Sequence, residues 1–341
     1  MKETKFFEGG ENKISAIFRN ARAVAILTVI AAHITVKNLN WLSHLYSVIG
    51  SIGVIVFFII SGYYYKKEKF SILCKKKLIS VILPWIILGS IVYIVNTLLA
   101  GNNITLLEWF KWLIGYKTYL YFIPVLLCCF LIFYYHNLIS IIIAMAITAI
   151  SLVLTVIGVI TPILEMGHIT NYMNICNWVG FFALGLLLKK IDPMKFYSFI
   201  KKTRWIWIIS SLCFTILLII LQYKVGYFSA LGWLYELIAA FSVFGLCSFE
   251  FMNNRLVFSI SNFSYPIYIL HMLFIGVLAK IYNLHLCLLM ISNIIVLFAV
   301  WGLLCLGLYI AKKIKLDKIY KICIGIRLKD NEKQKNNLKI L

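Results

Sequence analysis

Charge is what this sequence has least of. Asp, Glu, Lys and Arg make up only 13% of the 341 residues while 62% are apolar. That excludes a soluble globule, because a chain of this length needs far more polar surface to meet water. Acidic residues are scarcer still, 12 against 33 Lys plus Arg, for a net charge of +21. In a soluble protein this balance would suggest nucleic acid. Here the basic residues cluster in the short gaps between apolar runs, so no nucleic-acid partner is expected. CxxC pairs and His at zinc spacing are missing. The nine cysteines lie mostly within apolar runs and are read as small fillers, with neither a disulfide nor a metal expected. No Gly/Ser/Pro-rich linker marks a second domain, and no internal repeat marks the two related halves from which many transporters are built.

What is present is a succession of apolar runs. Charged or Gly/Asn-rich breaks separate ten of them, at about 15–36, 46–64, 79–100, 119–135, 138–160, 171–188, 205–222, 230–248, 263–280 and 287–311. With the N-terminus inside, 26 Lys and Arg fall on internal segments and only five outside: Lys37, Lys111, Lys117, Lys224 and Lys280. The expected architecture is an all-α integral membrane protein of about ten transmembrane helices, multi-pass in the cell membrane, with both termini cytoplasmic. Residues 1–14 form a cytoplasmic segment, 15–311 the transmembrane domain and 312–341 a basic cytoplasmic tail. The charge-free run from Ala23 to Val36 has the length of a signal-peptide core, but no small-residue cleavage site follows it. It is read as part of a retained first span. In the tail, Leu316, Ile319, Cys323 and Ile326 recur at helical spacing. That fits a helix on the anionic inner leaflet or a merely solvated tail.

The first run carries Arg19, Arg22 and His33. At about 100° per residue, the eleven steps from Arg22 to His33 put both on one helix face, roughly 16 Å apart. Ionisable groups are costly inside a bilayer and normally serve a function there, so this face is read as one wall of a buried reaction path. An imidazole, with an ordinary pKa of about 6.5, can take a proton from an attacking hydroxyl. His33 is therefore the candidate general base, the alternative being a hydrogen bond to a neighbouring helix. Guanidinium groups grip phosphates bidentately, which makes Arg22 a candidate ligand for an anionic substrate. For Arg19 a snorkelling flank is as good a reading as a ligand.

Three further features have open readings. Glu236 is the one carboxylate within any expected span, and could pair with Arg22, orient His33 or face an outer water pocket. Tyr268 and His271, at i and i+3, share a helix face, either as catalytic groups or as glue between helices. Trp109, Trp112, Tyr116, Tyr119 and Tyr121 form an aromatic cluster near an outer boundary, as an interfacial belt or a surface on which sugars stack.

Taken in order, several motifs carry a resemblance. Arg22-x10-His33 is followed at the end of the second run by Phe57-Phe58-Ile59-Ile60-Ser61-Gly62, with Gly50, Ser51 and Gly53 before it. Those small residues would also serve simple helix packing. This order resembles the membrane-bound acyltransferase family 3, bacterial enzymes that O-acylate cell-envelope glycans. Lys75-Lys76-Lys77 ahead of Pro84-Trp85 is similar to the family's Arg-x-x-Arg element, although this chain has Lys77 and then Ser80 there. The stretch from Tyr121 to Leu126 looks like the opening of the family's fourth span. Ser264-Tyr265-Pro266-Ile267-Tyr268-Ile269-Leu270-His271 looks like its late Ser-Tyr-x-x-Tyr-Leu-x-His element. The Glu-Pro ending and the extracellular domain of longer members are absent, so the resemblance is to the short form.

The resemblance implies an O-acyltransferase that moves an acyl group, with acetyl expected, from cytoplasmic acyl-CoA to a hydroxyl of an envelope polysaccharide or glycolipid precursor. It implies His33 and Arg22 as catalytic residues, Arg19, Arg22 and Lys77 as donor-binding residues, and Ser61, Glu236, Tyr268 and His271 as supporting candidates. Acyl-CoA would be a substrate, with no permanently bound cofactor. The other partners would be the bilayer, the glycan acceptor and glycan-assembly proteins. A polysaccharide exporter or flippase is the alternative from another class. Sparse polar residues away from these sites favour the enzyme, and the intact Arg22-x10-His33 pair disfavours a silent scaffold.

Overall fold

A computed structural model describes residues 2–34, 40–167, 169–221, 228–281 and 291–326. Lys37, Lys224, Cys287 and the tail beyond Ile326 lie outside the described residues. Among those described, every regular element is helical. The order is α1 (Lys2–Ala32), α2 (Asn40–Gly50), α3 (Ile52–Tyr63), α4 (Phe70–Lys77), α5 (Leu83–Leu99), α6 (Leu106–Leu113), α7 (Phe122–Ile132) and α8 (Leu138–Val156). Then come α9 (Ile160–Met166), α10 (Val179–Leu188), α11 (Pro193–Ile220), α12 (Gly232–Leu246), α13 (Arg255–Ile281), α14 (Ser292–Lys313) and α15 (Asp317–Cys323).

Seven helices among the described residues are long and apolar enough to cross a membrane: Lys13–Ala32, His44–Tyr63, Phe70–Leu99, Leu138–Val156, Pro193–Ile220, Arg255–Leu278 and Ser292–Lys313. Three shorter apolar helical segments, Tyr119–Tyr135, Ile175–Leu188 and Gly232–Leu246, fall where three more spans are expected. Several boundaries differ from those the hydropathy suggests. The third, seventh and ninth expected runs begin inside helices that start earlier, at Phe70, Pro193 and Arg255. Lys and Arg end an apolar run but are good helix formers, so the helix continues through them. The first helix stops at Ala32 rather than continuing to 36, and the sixth run turns helical only at Ile175.

Helix α1 is the axis of the bundle, packed against α2, α3, α11, α12, α13 and α14. Phe18, Ala21, Ala25, Ile26 and Ile30 are completely buried along it. Lipid tails are as apolar as leucine, so helices in a bilayer associate through close packing, which small residues permit. Gly62 of α3 and Gly185 of α10 are the clearest case. A Cβ at Gly62 would collide with the Phe182 carbonyl, and one at Gly185 with the Ile59 carbonyl. The glycine of the Ser61-Gly62 motif thus serves packing. Large apolar side chains on α5, α8 and α11 face outward, among them Leu98, Ile139, Ile206 and Leu212.

Two irregular stretches shape the interior. A π-helical turn, Leu78–Ile82, joins α4 to α5 just ahead of Pro84, which cannot donate to the carbonyl four residues back. Tyr265 of α13 donates its hydroxyl to the Val81 carbonyl in that turn (2.7 Å). The second stretch, 169–178, leads into α10 without regular helix, and its polar backbone must be satisfied within the protein. Helix α8 does this. Thr148 donates to Cys176 O (2.7 Å) and accepts from Gly180 N (2.7 Å). Ser151 donates to Asn177 Oδ1 (2.7 Å), and Asn177 Nδ2 donates to Asn171 O (2.9 Å).

Candidate active site

His33 sits immediately after the last residue of α1. Its backbone N–H donates to Ile30 O (3.1 Å) and that of Ile34 to Ala31 O (3.2 Å), so the chain leaves the helix through a tightened final turn. The half-buried imidazole reaches into a cleft of about 920 Å³. Among the described residues it makes ring contacts but no hydrogen bond. Its centroid lies 5.8 Å from that of Tyr119 and 5.2 Å from that of His271.

Aromatic side chains wall the cleft: Trp112, Tyr116, Tyr119, Tyr121, Tyr172 and Phe228. Polar groups stand between them, including Thr118, Thr161, Asn171, Lys117 and Glu165. Two buried polar atoms on these walls have no hydrogen-bond partner among the described residues: Trp112 Nε1, a donor, and Asn171 Oδ1, an acceptor. Asn171 is held by its other amide atom, Nδ2 donating to Thr161 Oγ1 (3.0 Å). Tyr172 is held by Trp178, whose Nε1 donates to its carbonyl (2.9 Å). Of the aromatic cluster expected from sequence, Trp109 does not line the cleft. Its Nε1 donates to Ser90 Oγ on α5 (2.9 Å).

Behind His33, α13 is fastened to the 3₁₀ turn Tyr119–Tyr121. The Tyr268 hydroxyl donates to Tyr119 O, and the Tyr119 hydroxyl to Ile269 O. Both phenol protons are thereby committed, so these tyrosines shape the site rather than exchange protons in it. His271, one turn beyond Tyr268 and 0% exposed, lies against the Tyr119 ring at 5.1 Å between centroids.

The basic candidates gather three to four turns back along α1. The Arg22 guanidinium lies over the Tyr64 ring at 5.4 Å, and that of Arg19 over Phe258 at 5.0 Å. Beside Arg19, Asn20 Nδ2 donates to Asn253 Oδ1 (2.9 Å) and ties α1 to the turn before α13. Lys77 Nζ lies 3.3 Å from the centroid of Phe130, which stacks on Tyr65, next in sequence to Tyr64. Ser61 belongs to this level as well, seven residues along α3 from Val54, which lines the cleft. It is therefore separated from His33.

Glu236 of α12 is 1% exposed, and its Oε1 has no hydrogen-bond partner among the described residues. Among the described residues the carboxyl forms no ion pair with Arg22. Nor does it face an open water pocket. It is enclosed within the helix bundle and does not line the cleft.

Sequence reasoning missed Tyr172, Asn171, Thr161, Glu165 and Phe228. The spacing of Asn171, Asn174 and Asn177 in an otherwise apolar stretch was the available signal. A family model described as an acyltransferase domain, that of the acyltransferase 3 family, matches residues 16–312. No curated protein and no solved structure matches the chain.

Proposed function

Because the chain belongs to the acyltransferase 3 family, we propose that it moves an acyl group, with acetyl expected, from acyl-CoA to a hydroxyl of an envelope polysaccharide or glycolipid precursor. The observation that carries this reading is an imidazole with no hydrogen-bond partner among the described residues, on the floor of an aromatic cleft. Aromatic faces stack on the apolar faces of sugar rings. Polar side chains that line the cleft, among them Lys117, Thr161 and Glu165, would meet sugar hydroxyls, which both donate and accept.

In this reading His33 takes the proton from the acceptor hydroxyl as its oxygen attacks the thioester carbonyl. The tetrahedral intermediate collapses with cleavage of the C–S bond, and the coenzyme thiolate recovers the proton from the imidazolium. Arg22, with Arg19 and Lys77, would hold the phosphates of the coenzyme by charge-assisted hydrogen bonds. The rise of α1, roughly 16 Å between Arg22 and His33, suits a long pantetheine arm carrying the thioester to the base. The charge asymmetry of the loops supports ten crossings with both termini in the cytoplasm, so the donor enters from inside and the acceptor from outside.

The test is mass spectrometry of envelope glycan from cells with and without the protein. Acyl groups that vanish with the protein and return with its gene support the reading. Fully acylated glycan in both, with glycan missing from the cell surface, would replace it with export.

A further inference from the structure

One nitrogen beside the cleft has no role in the reaction just described. His271 Nδ1 lies 2.6 Å from the Tyr268 carbonyl oxygen. A carbonyl oxygen can only accept, so in the neutral ring the proton is on Nδ1 and Nε2 carries a lone pair. That lone pair is sealed from water and has no hydrogen-bond partner among the described residues. A buried acceptor left bare is costly, and calls for an explanation.

The neighbours narrow the candidates for its donor. Tyr119 of the 3₁₀ turn and Tyr268 on the same helix both touch the His271 ring, at 5.1 and 6.1 Å between centroids. Their hydroxyls already donate to Ile269 O and Tyr119 O. The remaining titratable group against His271 is His33 of α1, 5.2 Å away between centroids with the rings tilted by 45°. Its imidazole makes no hydrogen bond among the described residues. It lines the cleft on one side and meets His271 on the other.

We infer that His271 is a positioning residue: when the His33 ring turns out of this tilted arrangement to meet the acceptor hydroxyl, His271 Nε2 accepts its N–H on the side turned from the cleft and so leaves the other His33 nitrogen as the base facing that hydroxyl. The Tyr268 carbonyl sets the His271 tautomer, and His271 in turn sets that of His33. When His33 gains the substrate proton, the resulting imidazolium keeps this hydrogen bond to a neutral acceptor, which steadies the ring until the proton passes to the leaving thiolate. The inference rests on the acyl-transfer reading and adds to it the group that orients the base.

The experiment compares the full-length wild type with His271→Gln and His271→Leu in proteoliposomes, under steady-state transfer of acyl groups from acyl-CoA to isolated envelope glycan. Gln carries a carbonyl oxygen where Nε2 stands, whereas Leu fills the space without an acceptor. His271→Leu should lower kcat by roughly 10- to 100-fold, the loss expected for one hydrogen bond to a charged group. KM for both substrates and the thermal midpoint should stay near wild type, and His271→Gln should recover much of kcat. A residue that only fills space would give Leu the better enzyme and Gln the worse. Wild-type kcat in His271→Leu, or equal loss in two equally stable variants, overturns the inference. If His271→Leu folds poorly, His271→Met provides the same comparison. A wild type that transfers nothing to any glycan overturns the acyl-transfer reading itself, a result distinct from an active wild type with indifferent variants.

Discussion

Tyr268 donates its hydroxyl to the carbonyl of Tyr119, 149 residues earlier in the chain, and Tyr119 returns a hydrogen bond to Ile269. This reciprocal clamp fixes the 3₁₀ turn that carries Tyr119 and Tyr121 into the cleft. Tyr268→Phe keeps the ring and removes one bond, which within a bilayer stabilises by about 0.6 to 1.5 kcal/mol. A small fall in thermal midpoint is expected, with a loss of transfer rate below about tenfold. Thermal unfolding in detergent and a rate assay on the same preparation check both.

The crossing of α3 and α10 should tolerate no added atom. Gly62→Ala places a methyl group against the Phe182 carbonyl, a collision between backbone elements that no rotamer relieves. Overpacking of this kind costs about 1–3 kcal/mol, so folded yield and thermal midpoint should both drop. Gly276→Ala, with no atom within 4 Å of the new methyl, should behave as wild type and serves as the control.

Trp112 offers a test of the acceptor cleft. Trp112→Phe keeps an aromatic face but removes the Nε1 donor that has no partner among the described residues. The apparent KM for glycan should rise several-fold while that for acyl-CoA stays unchanged. Equal effects on both substrates would assign Trp112 to general packing instead.

How much of this was legible in the sequence depends on the distance over which each signal acts. His33, Tyr268 and His271 could be singled out because an ionisable or paired polar group stands out inside an apolar run, and helical spacing fixes the face it occupies. That His33 and His271 would meet depends on the packing of α1 against α13, which no local pattern encodes. Trp109 and Trp112 share a face of α6, yet only the latter lines the cleft, which opens at the C-terminal end of that helix. Three residues of rise, roughly 4.5 Å, set Trp109 beside Ser90 instead. Tyr172 and Asn171 were hidden for another reason. Their segment is irregular, held by Thr148 and Ser151 of α8, and apolar periodicity says nothing about where such a segment points.

His33→Ala should abolish acyl transfer while leaving the protein folded. The ring makes no hydrogen bond among the described residues and stands at a helix exit, so little stability rests on it. A positioned base contributes on the order of 10² to 10⁴ in rate. Well-expressed His33→Ala protein that acylates glycan normally would remove His33 from the reaction, whatever else the cleft binds.

The sharpest test three turns back along α1 separates charge from geometry. Arg22 lies over Tyr64, a setting in which either a lysine or an arginine would keep a favourable cation–aromatic contact. Only arginine presents the planar fork that binds a phosphate through two parallel hydrogen bonds. If Arg22 grips the coenzyme, Arg22→Lys should raise the apparent KM for acyl-CoA well above tenfold, since such a bond to a charged group contributes about 1.5–3 kcal/mol. The KM for glycan should move little, because the cleft lies at His33, three helical turns or roughly 16 Å away. If Arg22 only anchors α1, lysine should serve nearly as well. Steady-state kinetics in proteoliposomes, with each substrate varied in turn, distinguish the two. An unchanged acyl-CoA dependence in Arg22→Lys would move the donor site away from this residue, leaving Arg19 and Lys77, the other donor-binding candidates, to be tested in the same way.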